Sequence, residues 1–375
     1  MQKKIIALAI ASALTVPALA QAEATVYGQA NVSFDRVATG ESTTAGVVTK
    51  SATQNQLVSN NSRLGLKGSD DLGGGLSAVW QMEGTIGMDD GTSALFNRNT
   101  YVGVKSADLG SVLLGNYDTP YKVAFRKLDV FADSAVADNR TRIFMADARR
   151  KNSINYISPS FSGVTVAFAS VFGAEGASGA VGAGTEPKKG SATSLSGTFE
   201  QGPIYAALAI DNVKVGNATG DLSAASLSAG TGYLGYTGWA VDDKVRGMKL
   251  GGGYTMDKFV VNAIIEKAKI TIAATVVNPE VEVTGTNIYV GGKFNISSTD
   301  AVKLAYGKVG ESTSKCTGCT GKNEDSVKQI TVGYDHSMSK ATSVYALYTK
   351  VTNQDTAAAK TADPSALSLG MKHAF

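Results

Sequence analysis

The chain has little of what catalysis, nucleic-acid binding or a helical membrane anchor requires. Only two histidines, His336 and His373, and two cysteines, Cys316 and Cys319, occur among 375 residues. Two cysteines cannot build a disulfide scaffold. The Cys316-Thr317-Gly318-Cys319 run has no histidine or second cysteine pair nearby in sequence, short of the roughly four ligands of a zinc site. No phosphate-cradling motif stands out, and neither a metal nor a cofactor is expected. Lys and Arg number 35 against 32 Asp and Glu, so no strong charge points to a nucleic acid or an acidic partner. Proline is sparse at 7 residues against 42 glycines. Beyond the amino-terminal leader no apolar run approaches ~18–20 residues, which excludes helical spans.

The leader itself is informative. Lys3 and Lys4 precede an apolar stretch from Ile5 to Leu19 with Pro17 near its end, and Ala20-Gln21-Ala22 offers small residues for cleavage. This predicts a secretory signal peptide over 1–22, with cutting after Ala20 as the near alternative, and a mature chain over 23–375. The apolar stretch is short for a membrane anchor of ~20 residues. Removing Lys3 and Lys4 takes the basic count from 35 to 33 against 32 acids, a net charge of +1.

What the mature chain has in abundance is alternation. Val26, Ala30, Val32 and Phe34 alternate with Tyr27, Gln29, Asn31, Ser33 and Asp35; Leu64 and Leu66 alternate with Arg63, Gly65 and Lys67. Leu76, Ala78, Trp80 and Met82 oppose Ser77, Gln81 and Glu83, and similar blocks recur around 248–254, 288–294 and 302–307. Period 2 is the signature of strands with one apolar and one polar face. Blocks of about ten residues match a tilted strand crossing a hydrocarbon layer. A soluble sandwich also alternates, but the second face here carries Arg63, Lys67, Glu83, Lys249, Lys293 and Lys303. Short turn signals such as Asp70-Asp71-Leu72-Gly73-Gly74 and Gln201-Gly202-Pro203 alternate with longer polar segments near 38–56, 88–94, 120–148, 173–192, 215–245, 271–282, 311–325 and 353–364. Short turns on one rim and long loops on the other predict an all-β, transmembrane antiparallel barrel of about 16 strands, with both termini on the short-turn, periplasmic rim. The final stretch agrees: Leu367, Leu369, Met371 and Phe375 share one parity, while Ala366, Ser368, Gly370 and Lys372 share the other.

Several short segments strengthen the assignment together. Ala24-Thr25-Val26-Tyr27-Gly28, Asn61 to Gly68, Tyr101-Val102-Gly103-Val104-Lys105, Asn152-Ser153-Ile154-Asn155-Tyr156 with Ser158-Pro159, and Gly370 to Phe375 occur in that order. In these the chain resembles the Gram-negative general porins, the trimeric sixteen-stranded type of β- and γ-proteobacteria, over essentially all of its mature length. The resemblance implies a water-filled outer-membrane channel for passive diffusion of ions and small hydrophilic solutes, a homotrimer embedded in outer-membrane lipid, and a terminal strand ending in Phe375 that the barrel-assembly machinery reads. It also implies that 120–148 folds into the lumen as a constriction loop, presenting Asp129, Asp133 and Asp138 toward a basic wall. Arg63 lies on the lumen parity and matches a wall arginine of the family. Arg98 matches a second, although simple alternation puts it on the face of Val102 and Val104, so a bulge or the opposite facing is required. Arg149, Arg150 and Lys151 form a third basic group, in which the outward reading of Ile154 and Tyr156 favours Arg149 and Lys151 for the lumen. Arg126, Lys127, Arg140 and Arg142 are interspersed among the loop acids and leave ion preference open.

Two rival functions remain in view. An enzyme on this scaffold needs a general base near the outer side, and the topology places His336 and His373 at the periplasmic rim instead. An adhesin or receptor would use long loops such as 215–245, with Tyr233, Tyr236 and Trp239. For Cys316 and Cys319, a small loop-closing disulfide is favoured over metal or redox chemistry in an oxidising exterior.

Overall fold

The structure, a computed structural model, describes residues 24–139, 143–144, 147–173, 189–216, 222, 239–274, 279–316, 319–323, 326–353, 359–360 and 362–375. The leader at 1–22 lies outside these. Sixteen strands follow one another around an antiparallel sheet. They are β1 (Thr25–Ala38), β2 (Thr53–Ser59 and Arg63–Gly73), β3 (Leu76–Ile86), β4 (Thr100–Ser106), β5 (Gly110–Asp118), β6 (Arg149–Ile157), β7 (Val164–Phe172) and β8 (Ser191–Gln201). Then come β9 (Ile204–Lys214), β10 (Lys244–Thr255), β11 (Phe259–Ile272), β12 (Val281–Asn295), β13 (Asp300–Cys316), β14 (Cys319–Asn323 and Val327–Ser337), β15 (Thr342–Asn353) and β16 (Ser365–Ala374). Each pairs with the next, and β1 pairs with β16 from Gln29↔Ala374 to Ala38↔Ser365, so the sheet closes on itself. Closure is what a hydrocarbon layer demands, because an open edge would leave a row of unpaired amides with no water to satisfy them.

The outward face is apolar and uncovered by protein. Val26, Phe34, Leu66, Val102, Phe168, Leu208, Ile265, Val290, Leu304 and Leu369 all stand exposed there. The inward neighbours are polar or small and mostly buried: Gln29, Asn31, Ser33 and Asp35 on β1, and Ser194 and Ser196 on β8. This is the inverse of a soluble protein, and the sequence parity of each of these positions is kept. The expected loop at 311–325 is largely strand instead, since β13 runs on to Cys316 and pairs antiparallel with Cys319–Asn323. Cys316 is paired in register with Cys319 and is disulfide-bonded. Likewise Thr53–Ser59, partly inside the expected 38–56 loop, already pairs with β1.

Phe375 takes part in closure. Its amide donates to the Gly28 carbonyl (3.2 Å) and its carbonyl accepts from the Gly28 amide (2.8 Å). The ring lies over Gly28, where an added Cβ would come within 2.5 Å of the ring and 2.6 Å of the Arg63 carbonyl. Glycine at 28 thus leaves room for the Phe375 ring. Gly28→Val should cost ~1–3 kcal/mol of overpacking strain and lower the temperature at which the folded barrel loses its fast migration on a detergent gel. An unchanged transition would show that the ring does not need this space.

Candidate functional site

The segment after β5 begins with one helical turn, α1 (Pro120–Val123), capped by the Thr119 side chain and started by Pro120 at its first position. A 3-10 turn over Arg126–Leu128 follows. Tyr121, Phe125, Leu128, Phe131, Val136, Ala137, Ile143 and Phe144 are all buried in one apolar cluster with inward residues of the wall, including Ala207, Ile264, Tyr289 and Ala305. Hydrogen bonds tie the segment to inward side chains of many strands. The Tyr121 amide donates to Ser194 Oγ (3.1 Å) and its hydroxyl to Glu266 Oε1 (2.6 Å). The Tyr205 hydroxyl donates to the Ala124 carbonyl (2.5 Å), and Asn262 Nδ2 to the Leu128 carbonyl (3.0 Å). The Val130 amide donates to the Tyr289 hydroxyl (3.0 Å). Room for these contacts comes from inward glycines: a Cβ at Gly247 would meet the Tyr121 hydroxyl at 2.5 Å, and one at Gly251 would meet Phe125 and Leu128 at 2.9 and 3.1 Å.

A buried charge cluster anchors the return arm. Lys249 is fully buried, with Nζ 2.6 Å from Asp147 Oδ1 and 3.8 Å from Glu266 Oε1. The rings of Tyr121, Phe125 and Phe144 lie 4.3, 5.6 and 4.7 Å from that ammonium. Burial, reinforced by the Glu266 charge, pushes the Tyr121 hydroxyl well above its ordinary pKa, so it stays a donor. Lys122 sits beside Asp118 (2.8 Å), which Arg149 also reaches (3.0 Å). Burial lowers the Lys122 ammonium pKa and the Asp118 carboxylate opposes that shift.

Opposite, the wall arginines form a ladder on Glu83. Arg98 Nε lies 2.5 Å from Glu83 Oε1, and Arg63 Nε lies 3.9 Å from Oε2, which also accepts from the Tyr27 hydroxyl (2.9 Å). Arg98 faces the lumen because two residues oppose one: the Glu83 amide donates to the Asn99 carbonyl, and the Arg98 amide to the Glu83 carbonyl. That is a bulge, and it reverses the facing that strict alternation assigns. A second bulge between Arg150 and Ser153, with Asn152 at φ 51°, corrects the third basic group. Arg149 reaches Asn99 and Asp118. Arg150, expected to face away, pairs with Tyr117 and is buried, whereas Lys151 is exposed within the bulge.

The three loop acids differ from the expectation of a pore-facing row. Asp129 is buried, its Oδ1 accepting from the Phe131 amide (2.9 Å) and its Oδ2 from the Asn139 amide (2.9 Å). Asp138 is buried and accepts from the Asp133 amide (3.2 Å). Both hold the loop in shape. Asp129 Oδ1 also accepts from the wall hydroxyl of Tyr289 (3.3 Å), whereas Asp133 approaches a wall cation, with Oδ2 3.7 Å from Arg63 Nη1 and 3.5 Å from Arg126 Nη2 of the loop itself. The break in β2 at Asn60 and Asn61 supplies the grip on this tip: Asn60 Oδ1 accepts from the Ala135 amide (2.7 Å), and Asn61 Nδ2 donates to Asp133 Oδ1 (3.4 Å). Arg140 and Arg142 lie outside the described residues. Lys372, on the inward parity of β16, shares with Asp133, Lys303 and Phe131 a hollow of about 240 Å³. Glu83, Lys249, Glu266 and Lys372 were all visible on the polar parity of their strands, but nothing in parity singles them out. Lys249 and Glu266 are direct cross-strand partners.

The remaining sites are placed simply. His336 bonds Asp300 (2.8 Å) and His373 bonds Thr342 (2.8 Å), both at the short-turn rim. Tyr233 and Tyr236 lie outside the described residues. Trp239, expected as a loop contact residue, is instead buried with Val213, Val245 and Ile270. Among the described residues no cluster of three metal-ligating side chains occurs.

Comparison with known proteins agrees with this architecture. The family model described as Gram-negative porin matches residues 7–356. The chain is 27% identical over 383 residues to the major outer membrane protein P.IB of Neisseria lactamica, covering all of both chains. Among solved structures it resembles an anion-selective porin from Comamonas acidovorans, with TM-score 0.68 at 21% identity over 95% of this chain and 100% of that one. It also resembles the trimer form of OmpT, an outer membrane protein of Vibrio cholerae, with TM-score 0.62 at 14% identity over 94% and 99%.

Replacing Lys249 with Met leaves Asp147 and Glu266 buried without their cation. The expected loss is ~3–5 kcal/mol, read as a lower unfolding temperature, and the double variant Lys249→Met with Asp147→Asn should recover part of it. A single variant as stable as the parent would show that this cluster does not hold the loop.

Proposed function

The chain belongs to the Gram-negative porin family and is an outer-membrane channel for passive diffusion of ions and small hydrophilic solutes; from that premise we propose that its pore is narrowed by the segment after β5 and prefers anions. A sixteen-stranded barrel encloses an aqueous lumen, so its selectivity resides where charges approach each other across little water. The observation that carries the preference is an imbalance. Among the described residues Arg63, Arg98, Arg126 and Lys372 stand against the carboxylates of Glu83 and Asp133, Asp335 of the same hollow is paired with Lys303, and Asp129 and Asp138 accept from amides of the loop, Asp129 from Tyr289 as well. Arg126 keeps 37% of its side chain exposed, against 10% for Asp133. In a narrow aqueous gap with low-dielectric walls such fixed charges act with little screening. The solved neighbour from Comamonas acidovorans is itself described as anion-selective, which supports the same direction here.

The finer readings follow. We assign 1–22 to a cleaved leader and 23–375 to the barrel. We further propose that the protein acts without catalysis, since passive diffusion through a channel needs no chemistry. A homotrimer is the proposed assembly, since a trimer form exists among the structural neighbours. The terminal strand, with Phe375 turned outward beside His373, suits recognition by the barrel-assembly machinery.

In planar bilayers with a salt gradient the protein should give ohmic steps and a reversal potential of anion-preferring sign. Arg63→Ser and Arg126→Ser should each move that potential toward cations, and Asp133→Asn should move it further toward anions. Asp129→Asn serves as the comparison, expected to lower stability by about 1–3 kcal/mol, as for a lost buried acceptor, with little change in selectivity. Unchanged potentials in both arginine variants would defeat the constriction, while an absence of steps from folded protein would defeat the channel. Mass measurement in mild detergent should return three copies, and monomer alone would refute the assembly.

A further inference from the structure

The segment after β5 packs unevenly against the wall. From α1 onward, Tyr121 and Phe125 turn toward β10, where Gly247 and Gly251 leave them room. The other face of the same turn, with Pro120, Val123 and Ala124, borders an alcove of about 240 Å³ in front of β6, β7 and β8. The wall is set back there because its inward residues are short. Ala167 stands opposite Ile157 and Ser196, and Thr165 stands opposite Thr198. Ile157 ends β6 and Thr165 stands near the start of β7, so the alcove lies on the short-turn side of the segment. Val123, Lys127 and Glu200 along its border are exposed, which leaves it open to the water of the lumen.

The charges beside the alcove are already matched. Lys127 Nζ lies 2.5 Å from Glu200 Oε2 and 3.8 Å from the centre of the Tyr205 ring, and Asp118 is held by Lys122 and Arg149. An ionic solute therefore gains little there. One polar atom is left over. Asn155, 2% exposed, lines the alcove and donates through Nδ2 to Ser153 Oγ (2.8 Å). Ser153 Oγ spends its own proton on the Gly115 carbonyl (2.9 Å), so the amide must present nitrogen to Ser153 and keep its oxygen on the other side. That oxygen, Oδ1, is buried and meets no donor among the described residues. A buried acceptor without a donor is costly, and a ligand bringing an N–H or O–H removes that cost. A water could do so alone, but it would leave Val123, Ile157 and Ala167 wetted. A ring with a donor on its edge satisfies both the acceptor and the apolar walls. A cavity of about 150 Å³ already admits benzene, so the space here suits a one- or two-ring molecule.

We propose that the alcove is a side site of the lumen for a small neutral aromatic bearing an N–H or O–H donor, its ring against Pro120, Val123, Ile157 and Ala167 and its donor on Asn155 Oδ1. The inference does not rest on the proposed ion preference, since Arg63, Arg98 and Arg126 are not part of this lining. The test uses the full barrel in lipid nanodiscs, dialysed to equilibrium against radiolabelled indole or N-methylindole, with empty nanodiscs subtracting what the lipid takes up. The wild type should retain indole saturably, and N-methylindole, the same ring without its donor, on the order of tenfold more weakly. Asn155→Leu should lose that distinction and bind the two alike. Ala167→Leu should fill the alcove and abolish retention of both, whereas Val166→Leu, on the outward face of the same strand, should bind as the wild type does. Fast migration on a detergent gel and ohmic steps in bilayers show that the variants are folded. Equal retention of the two indoles by the wild type, or no saturable retention of either, overturns the proposal without any variant. So does a tenfold preference preserved in folded Asn155→Leu, undiminished retention in folded Ala167→Leu, or equal loss in Val166→Leu.

Discussion

Within a hydrocarbon layer each backbone amide and carbonyl must find its partner in the protein, because an unsatisfied group there costs several kcal/mol. The ring of pairings from β1 round to β16 meets that requirement, and most other features follow from it. Closing the sheet fixes which side chains meet lipid and which meet water. The apolar set on one parity then becomes a belt instead of a core. With the core displaced to the outside, the interior is left polar, and the burial that does occur inside is supplied by a segment packed against the wall.

That inner packing has a different energetic character from the belt. It combines aromatic burial with charge pairs from which water is largely removed, where a missing partner costs more than an intact pair contributes. Lys249 illustrates this, enclosed by two carboxylates and three rings. The tip of the segment is held more lightly, by Asn60, Asn61 and the longer Arg63–Asp133 contact. The stem is fixed by buried charge, and at the tip these polar contacts add to the burial of Phe131, Val136 and Ala137. This arrangement keeps charged groups beside the lumen without enclosing them fully.

The barrel was legible because period 2 repeats in strand after strand, and on that parity Arg63 lies on the same face as Glu83, which it approaches. Alternation fails wherever the count of residues slips. At Glu83, two residues oppose one, and Arg98 turns inward; at Asn152, the same kind of irregularity brings in Arg150. No residue type announces those slips. The loop acids failed for another reason. Asp129 and Asp138 look like pore charges in a string of letters, but the loop needs acceptors for its own amides, and only the folded path shows which acids are so engaged. The hairpin through Cys316 and Cys319 misled in the opposite way, since a Gly-, Ser- and Thr-rich stretch proved to continue the sheet.

The glycines behind the inner segment carry a consequence for how such a passage changes over time. Gly247 and Gly251 lie behind Tyr121, Phe125 and Leu128, on the wall. A methyl group added at either would nonetheless push a ring or a leucine away from the wall. In the proposed constriction the bore is thereby set from behind its lining, and such a position can tune it while the charges that a solute meets stay as they were.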